Sequence, residues 1–202
     1  MKKKEVETKT KWSIDHDHSI IEFKVRHLMM MHVRGEFKTF DASIYTNDKD
    51  FKTSEIDLWI DVASISTGNE KRDDHLKSQD FFDIAQHKQI TFRASTISAA
   101  DADGVCEIWG ELTILGITRN VKLDIQFGSI IYDLSGNLKT GFSISGMINR
   151  NEWGLNWNAS LDNGGFMVGE DVVITCDIEL ICVSQNNLIM ELEPTTDRLS
   201  SK

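Results

Sequence analysis

Alternation of apolar and polar side chains with period two runs through most of this chain and constrains its fold more than any other feature. In Ile21-Glu22-Phe23-Lys24-Val25-Arg26 every second residue is charged, the pattern of a β-strand with one wet face. Ile56, Leu58, Ile60 and Val62 alternate with Asp57, Trp59 and Asp61. Val121, Leu123, Ile125 and Phe127 alternate with Lys122, Asp124 and Gln126. Phe142, Ile144 and Ile148 share a parity with Gly146, and Val172, Ile174, Cys176, Ile178 and Leu180 share another. Ile90 with Phe92, the set Ile108, Leu112 and Ile114, and the stretch from Phe37 to Ile44 continue the series less cleanly. Turn signals such as Asn47-Asp48, Asp103-Gly104, Ser135-Gly136-Asn137 and Asn163-Gly164-Gly165 separate these runs, which argues an antiparallel sheet. Many half-wet strands must dispose of their edges, and a closed barrel or a sandwich both do so. Gly110 and Gly146, on the inward parity, suit strongly coiled strands or a wall that approaches a ligand closely.

Two segments break the alternation. Thr67-Gly68-Asn69-Glu70 has capping-box spacing, with Thr67 placed to accept from a helix N-terminus and Glu70 to reach back. A short polar helix over Lys71 to Leu76 follows, with Leu76, Phe81 and Phe82 turned toward the sheet. The stretch Asn151 to Glu170 carries Trp153, Leu155, Trp157 and Phe166, and reads as a long hairpin folded over one mouth of the barrel. No repeat and no linker divides the body. We therefore expect a flexible N-terminus over 1–10, one β-domain over 11–183 and a polar, flexible tail over 184–202.

Charge narrows the partners. The 202 residues include 22 basic and 32 acidic side chains, a net charge of −10, which argues against nucleic acid and against a negatively charged membrane surface. Lys2-Lys3-Lys4 is followed by Glu5, Thr8 and Thr10, not by the apolar region of a secretory signal. No run approaches the roughly 20 apolar residues of a membrane helix. The expected compartment is the cytoplasm, or the periplasm if an N-terminal segment is missing. Three cysteines fit that setting. Cys176 and Cys182 lie about 20 Å apart along one strand, beyond disulfide reach, and all three are expected to be reduced.

Residues that carry chemistry are sparse. His16, His18, His27 and His32 crowd one region, but a metal site needs three or four converging ligands. Surface or turn positions are the plainer reading. His27 ends an alternating strand on the parity of Phe23 and Val25, where a buried imidazole would bond a polar ligand group or a backbone carbonyl. Gly141-Phe142-Ser143-Ile144-Ser145-Gly146 has Ser145 where a nucleophile elbow needs glycine, and it lies within a strand pattern. Phosphate-cradling motifs are absent. Met29-Met30-Met31 follows the His27 strand. Three flexible thioethers suit an adaptable apolar rim, or a contact with a neighbour or dimer partner.

An ordered set of short motifs adds to this. It runs through Trp12-Ser13-Ile14-Asp15, Phe23-Lys24-Val25-Arg26-His27, Gly35-Glu36-Phe37 and Ser64-Ile65-Ser66-Thr67-Gly68. It continues with Arg72-Asp73, His75-Leu76, Asp80-Phe81-Phe82-Asp83, Ile90-Thr91-Phe92, Gly110-Glu111-Leu112-Thr113-Ile114, Arg150, Trp153-Gly154-Leu155 and Val168-Gly169. Over about Trp12 to Val183 the chain resembles the YceI-like family, the lipocalin-like polyisoprenoid-binding proteins. Lys88 replaces the family's usual proline, and Glu170-Asp171 inverts the usual order of those two acids. The resemblance implies an all-β, lipocalin-like extended antiparallel barrel of about eight strands with a short helical insertion. It also implies a bound apolar molecule such as an isoprenoid quinone or polyprenyl lipid, with no cofactor required, and a homodimer in some members.

Three functions follow as expectations. The first is non-catalytic binding, sequestration or transport of a long apolar ligand. Its candidate wall is Phe23, Val25, Phe37, Phe40 and Leu58 with Phe92, Trp109, Leu112 and Phe142, and His27 and Arg150 are its polar contacts. Trp109 and Leu112 have opposite parity, so a regular strand turns only one of them inward. The second is a dimeric interaction or stress-response module built on the Met29 to Met31 hairpin. The third is an enzyme at the barrel mouth with His27 as acid and base.

Overall fold

The computed structural model describes residues 9–47, 50–160 and 165–183. Its strands are β1 (Lys9–Ile14), β2 (Ile20–His27), β3 (Met31–Phe37), β4 (Phe40–Asn47), β5 (Asp50–Asp61) and β6 (Ile65–Ser66). After helix α1 (Glu70–Lys77) come β7 (Gln89–Ile97), β8 (Val105–Ile114), β9 (Ile117–Phe127), β10 (Ile131–Tyr132), β11 (Leu138–Asn149) and β12 (Val168–Val183). Residues 1–8, 184–202 and the Asn163-Gly164 turn lie outside the described residues. The expected flexible start does not extend to residue 10, because Lys9 and Thr10 already pair with Asn47 and Thr46 of β4.

The strands close on themselves. Going round the ring, β11, β9, β8, β7, β5, β4, β1 and β12 are neighbours, and β12 returns to β11. Every contact is antiparallel, so this is an eight-stranded up-and-down barrel without a sheet edge. A 3-10 turn at His16–His18 bends the first strand. Its first half, β1, pairs with the C-terminal part of β12, and its second half, β2, pairs with the N-terminal part. Beyond the bend, β2 and β3 form a ribbon that β6 meets only at Glu36 and Phe37.

The alternation sets which faces are wet. Inward rows on β8 and β9, Ile108, Leu112, Val121 and Ile125, are buried, while Glu107, Glu111 and Lys122 between them are exposed. Glycine appears where a neighbour's side chain lies across the wall. A Cβ at Gly110 would come within 2.4 Å of the Phe92 ring and 2.6 Å of the Arg93 carbonyl oxygen. One at Gly146 would come within 2.3 Å of the Leu123 side chain.

The two barrel ends are finished differently. At one, Phe51 packs on Trp12 and Phe142 with ring centroids 5.0 and 5.1 Å apart, and Phe127 joins at 5.0 Å from Phe142. Trp12 is fully buried, and its indole N–H donates to the Thr46 hydroxyl at 2.9 Å. At the other end α1 lies over the opening. Its N-cap is Asn69, whose side chain accepts from the Arg72 N–H at 3.1 Å. Thr67, expected in that role, is taken by tertiary bonding: its N–H and hydroxyl donate to Asp73, and the Arg72 guanidinium donates to its hydroxyl and carbonyl at 2.8 and 2.9 Å. These bonds pin α1 to the end of β6. The segment after β11 completes the cover, with Trp157 against His75 and Phe81 at 4.7 and 5.2 Å. Among the described residues no helix is long and apolar enough to cross a membrane.

Adding a methyl at Gly110 meets backbone, whereas at Gly146 it meets the movable end of a leucine. Gly110→Ala is expected to lower stability by about 1–3 kcal/mol, and Gly146→Ala by less. Urea unfolding midpoints of the two variants provide the check, and equal losses would contradict this reading of the wall.

Candidate functional site

The barrel interior holds a cavity of about 240 Å³. A single water needs only about 10–15 Å³ of such space, so this is a compartment and not a packing defect. It reaches from Phe51 and Phe142 at the aromatic end to Leu76, Phe82 and Leu155 at the helical end. One inward row on β12, Val172 to Leu180, borders it, and Val168 reaches it from beyond the bulge of that strand. Eight steps at ~3.3 Å make that row about 26 Å long, or about 20 Å along the axis at the usual barrel tilt. The space is elongated. Ile144, Ile148, Val172, Ile174 and Ile178 face it yet are only half-buried, because no side chain fills the volume before them.

Polar side chains on the wall donate to backbone carbonyls. The buried Ser54 hydroxyl donates to the Phe51 carbonyl. Arg150 is 4% exposed, and its Nε donates to the Gly169 carbonyl at 2.8 Å, with further donation to Leu155 and, at 3.4 Å, to Val168. Burial pulls the Arg150 pKa below the ordinary guanidinium value, while the charge of Glu170 acts the other way. The guanidinium thus staples β12 to the turn that follows β11, and a buried positive charge borders the apolar space. Cys176 also faces the cavity, and desolvation first, then Asp177 and Glu22, push its thiol up to about 12. It is a neutral wall group, not a thiolate nucleophile. None of Cys106, Cys176 and Cys182 is in a disulfide.

The structure gathers Phe23, Val25, Phe37 and Leu58 around the cavity, together with Phe92, Leu112, Phe142 and Arg150. Two expected wall residues, Trp109 and Phe40, and one expected polar contact, His27, are not there. Trp109 is 58% exposed; it takes the parity opposite to Leu112, and the regular strand β8 sends it outward. Phe40 is buried, but at the start of β4 it packs against the His16 ring at 5.7 Å, off the cavity. His27 keeps the parity of Val25, yet β2 there has run past the closed wall into the hairpin, where it pairs with Met31 and Val168. No carboxylate of the described residues lies within ion-pair distance of it. The aliphatic rows of β11 and β12, absent from the expected wall, carry the same-parity signal in the sequence but no aromatic residue beyond Phe142 to draw attention.

One cluster has ligand-like composition. Asp15, His18 and Glu179 offer donor atoms within 4.8 Å of one another, but the Lys139 ammonium already sits among them, 2.9 Å from Asp15 and 2.8 Å from Glu179. It stands where a cation would, and ties β11 to β12 and to the turn after β1. The hydrogen bond from Lys139 holds the Asp15 carboxyl at about 2, with His18 assisting and desolvation opposing. The carboxylates raise the Lys139 pKa in return.

A closed antiparallel barrel around an elongated apolar cavity, with a helical cover at one end, defines a lipocalin-like binding fold. Within that class the chain belongs to the YceI-like domain family, whose model matches residues 12–180. It is 37% identical over 171 residues to a UPF0312 protein of Staphylococcus aureus strain USA300, covering 84% of this chain and 96% of that one. Among solved structures it is similar to the YCEI protein of Campylobacter jejuni (TM-score 0.65, 27% identity, 79% of this chain and 90% of that chain). It also shares its fold with BcnA of Burkholderia cenocepacia (TM-score 0.70, 22% identity, 82% and 98%). A polyisoprenoid binding domain from Saccharophagus degradans has the same fold (TM-score 0.61, 15% identity, 85% and 98%).

Asp15 has a depressed pKa in the folded protein, so its contribution to stability is present above the ordinary carboxylate value of 3.8 and is lost as pH falls toward about 2. Lys139→Met is expected to lower stability at neutral pH and to flatten the part of the acid profile between those values. Urea midpoints measured across that range report it, and an unchanged acid slope would contradict the assignment.

Proposed function

We propose that the protein is a non-catalytic carrier that binds, sequesters or transports one long apolar molecule, isoprenoid-tailed or a similar lipid, inside the barrel. The elongated apolar cavity carries this reading. Water gains nothing from such a space, because its walls offer almost no hydrogen bonds. A hydrocarbon chain gains about 0.8 kcal/mol for each CH₂ withdrawn from water. A branched, flexible tail also matches a wall of Ile, Val, Leu and Phe. The name of the Saccharophagus degradans neighbour, a polyisoprenoid binding domain, supports the same ligand class. An isoprenoid quinone or a polyprenyl lipid meets these requirements, and binding needs no cofactor. Arg150 is the wall group suited to a polar head: three carbonyls occupy part of its five-donor fork, so donors remain for a ligand oxygen.

The enzyme reading has less behind it. Its proposed acid–base residue, His27, stands outside the cavity, and the cavity thiol is protonated.

Delipidated protein titrated with quinones of increasing isoprenoid tail length is expected to bind saturably, one per chain. Affinity is expected to rise at least about tenfold per isoprene unit until the cavity is full, then level off. Leu58→Trp, which fills the middle of the space, is expected to abolish binding of long tails while the protein stays folded. Affinity independent of tail length, or intact binding in Leu58→Trp, would overturn the proposal.

A further inference from the structure

The β2–β3 ribbon concentrates features that the interior does not use. Register sets Lys24 opposite Arg34 and Arg26 opposite His32, on the face that points away from Phe23 and Val25. Like charges directly across a ribbon oppose its formation. None of these four side chains has an acidic partner within ion-pair distance among the described residues. From Lys24 to Arg34 the chain carries three cations, two histidines and no acid, in a protein of net charge −10. The nearest acids by register are Glu22 and Glu36, a paired row behind, and Glu170 and Asp171, which lie within the β12 bulge beside Arg26 without reaching ion-pair distance of it.

The tip is apolar. Met29, Met30 and Met31 are 64%, 79% and 69% exposed. The turn that presents them has left-handed backbone at Leu28 and Met29, φ 50° and 57°, conformations that Asn or Gly adopt at lower cost. Immediately behind the tip the ribbon reaches the cavity: His27 pairs with Val168, and both Val168 and Val25 line the apolar space. On its other edge β3 has no strand partner from Met31 to Gly35 among the described residues, so the wall is interrupted there.

We propose that this ribbon is a docking surface for an anionic lipid bilayer. Lys24, Arg26 and Arg34 face the lipid phosphates, and the methionine tip enters the interfacial layer beside the interrupted wall. Cations flanking an apolar projection match a charged layer overlying a hydrocarbon one. A nucleic-acid backbone offers the charge without the apolar layer. Methionine suits the insertion, since its flexible thioether adapts to a disordered partner. The overall negative charge does not oppose docking strongly, because charges more than about 8–10 Å from the membrane are screened at physiological salt. Net charge is a sum, whereas docking responds to the local patch. In this arrangement the end of the cavity at Val25 and Val168 faces the membrane.

Co-flotation with vesicles tests the proposal. Binding is expected to vesicles of phosphatidylcholine with phosphatidylglycerol, to weaken in high salt, and to be slight with phosphatidylcholine alone. Arg26→Glu with Arg34→Glu is expected to reduce partitioning at least about twentyfold, and Met30→Asp is expected to reduce it also. These exposed changes should leave the circular dichroism spectrum intact. Tail binding in vesicle-free solution should be unchanged in the double variant, which separates failure of docking from failure of the carrier reading. Equal partitioning to both vesicle types, or no loss in the double variant, would overturn the proposal. So would self-association abolished by Met30→Asp in protein that does not bind vesicles, since the tip would then serve a second copy of the chain.

Discussion

The long strand β12 closes the sheet. Its sixteen residues pair with β11 from Lys139↔Ile181 to Asn149↔Asp171 on one side, and with β1 and then β2 on the other. Without that second side the backbone groups of β1 and β12 would face solvent as two open edges, and the inward aliphatic rows would lose their enclosure. Lys139 and Arg150 reinforce the seam at opposite ends, one through two carboxylates and the other through backbone carbonyls. Closure therefore creates the interior and the difficulty that comes with it. Eight strands enclose more volume than these side chains fill.

That unfilled volume links fold to function. Interiors of ordinary domains pack to crystal density, and a lining without partner atoms forfeits dispersion energy. Here Ile144, Val172 and Ile178 face open space. Gly110 and Gly146 let Phe92 and Leu123 lie along the wall instead of projecting across it. An apolar guest restores the missing contacts, so the same residues stabilise the occupied barrel and select a guest that is long and apolar. The aromatic cluster around Phe51 stops one end, and α1, pinned by Arg72 and Asp73 to Thr67, covers the other.

The strands were legible because half-wet faces alternate visibly, and the cavity rows were present as same-parity runs on β11 and β12. Helix placement was legible to within a residue or so, but its cap was not. Thr67 and Asn69 are both good cap residues, and only the contacts of Thr67 with Arg72 and Asp73 decide between them. Selecting wall residues by aromatic size brought in Trp109, against its own parity, and Phe40, which shares the parity of Ala42 but sits at the bend between β3 and β4, against the His16 ring. His27 shows a related limit, since alternation does not reveal where a strand leaves the barrel. The cationic ribbon was invisible for another reason. Its charges converge only once Lys24 is registered against Arg34, and the net charge of the whole chain points the other way.

Native mass spectrometry of protein purified gently from its own cells, with extraction and identification of what accompanies it, addresses the carrier reading most directly. The account predicts a population one lipid heavier than the bare chain, the added molecule bearing a long hydrocarbon tail and leaving when the barrel unfolds. Bare protein throughout, together with an experimental structure in which side chains occupy the interior from Phe51 to Leu76, would contradict it.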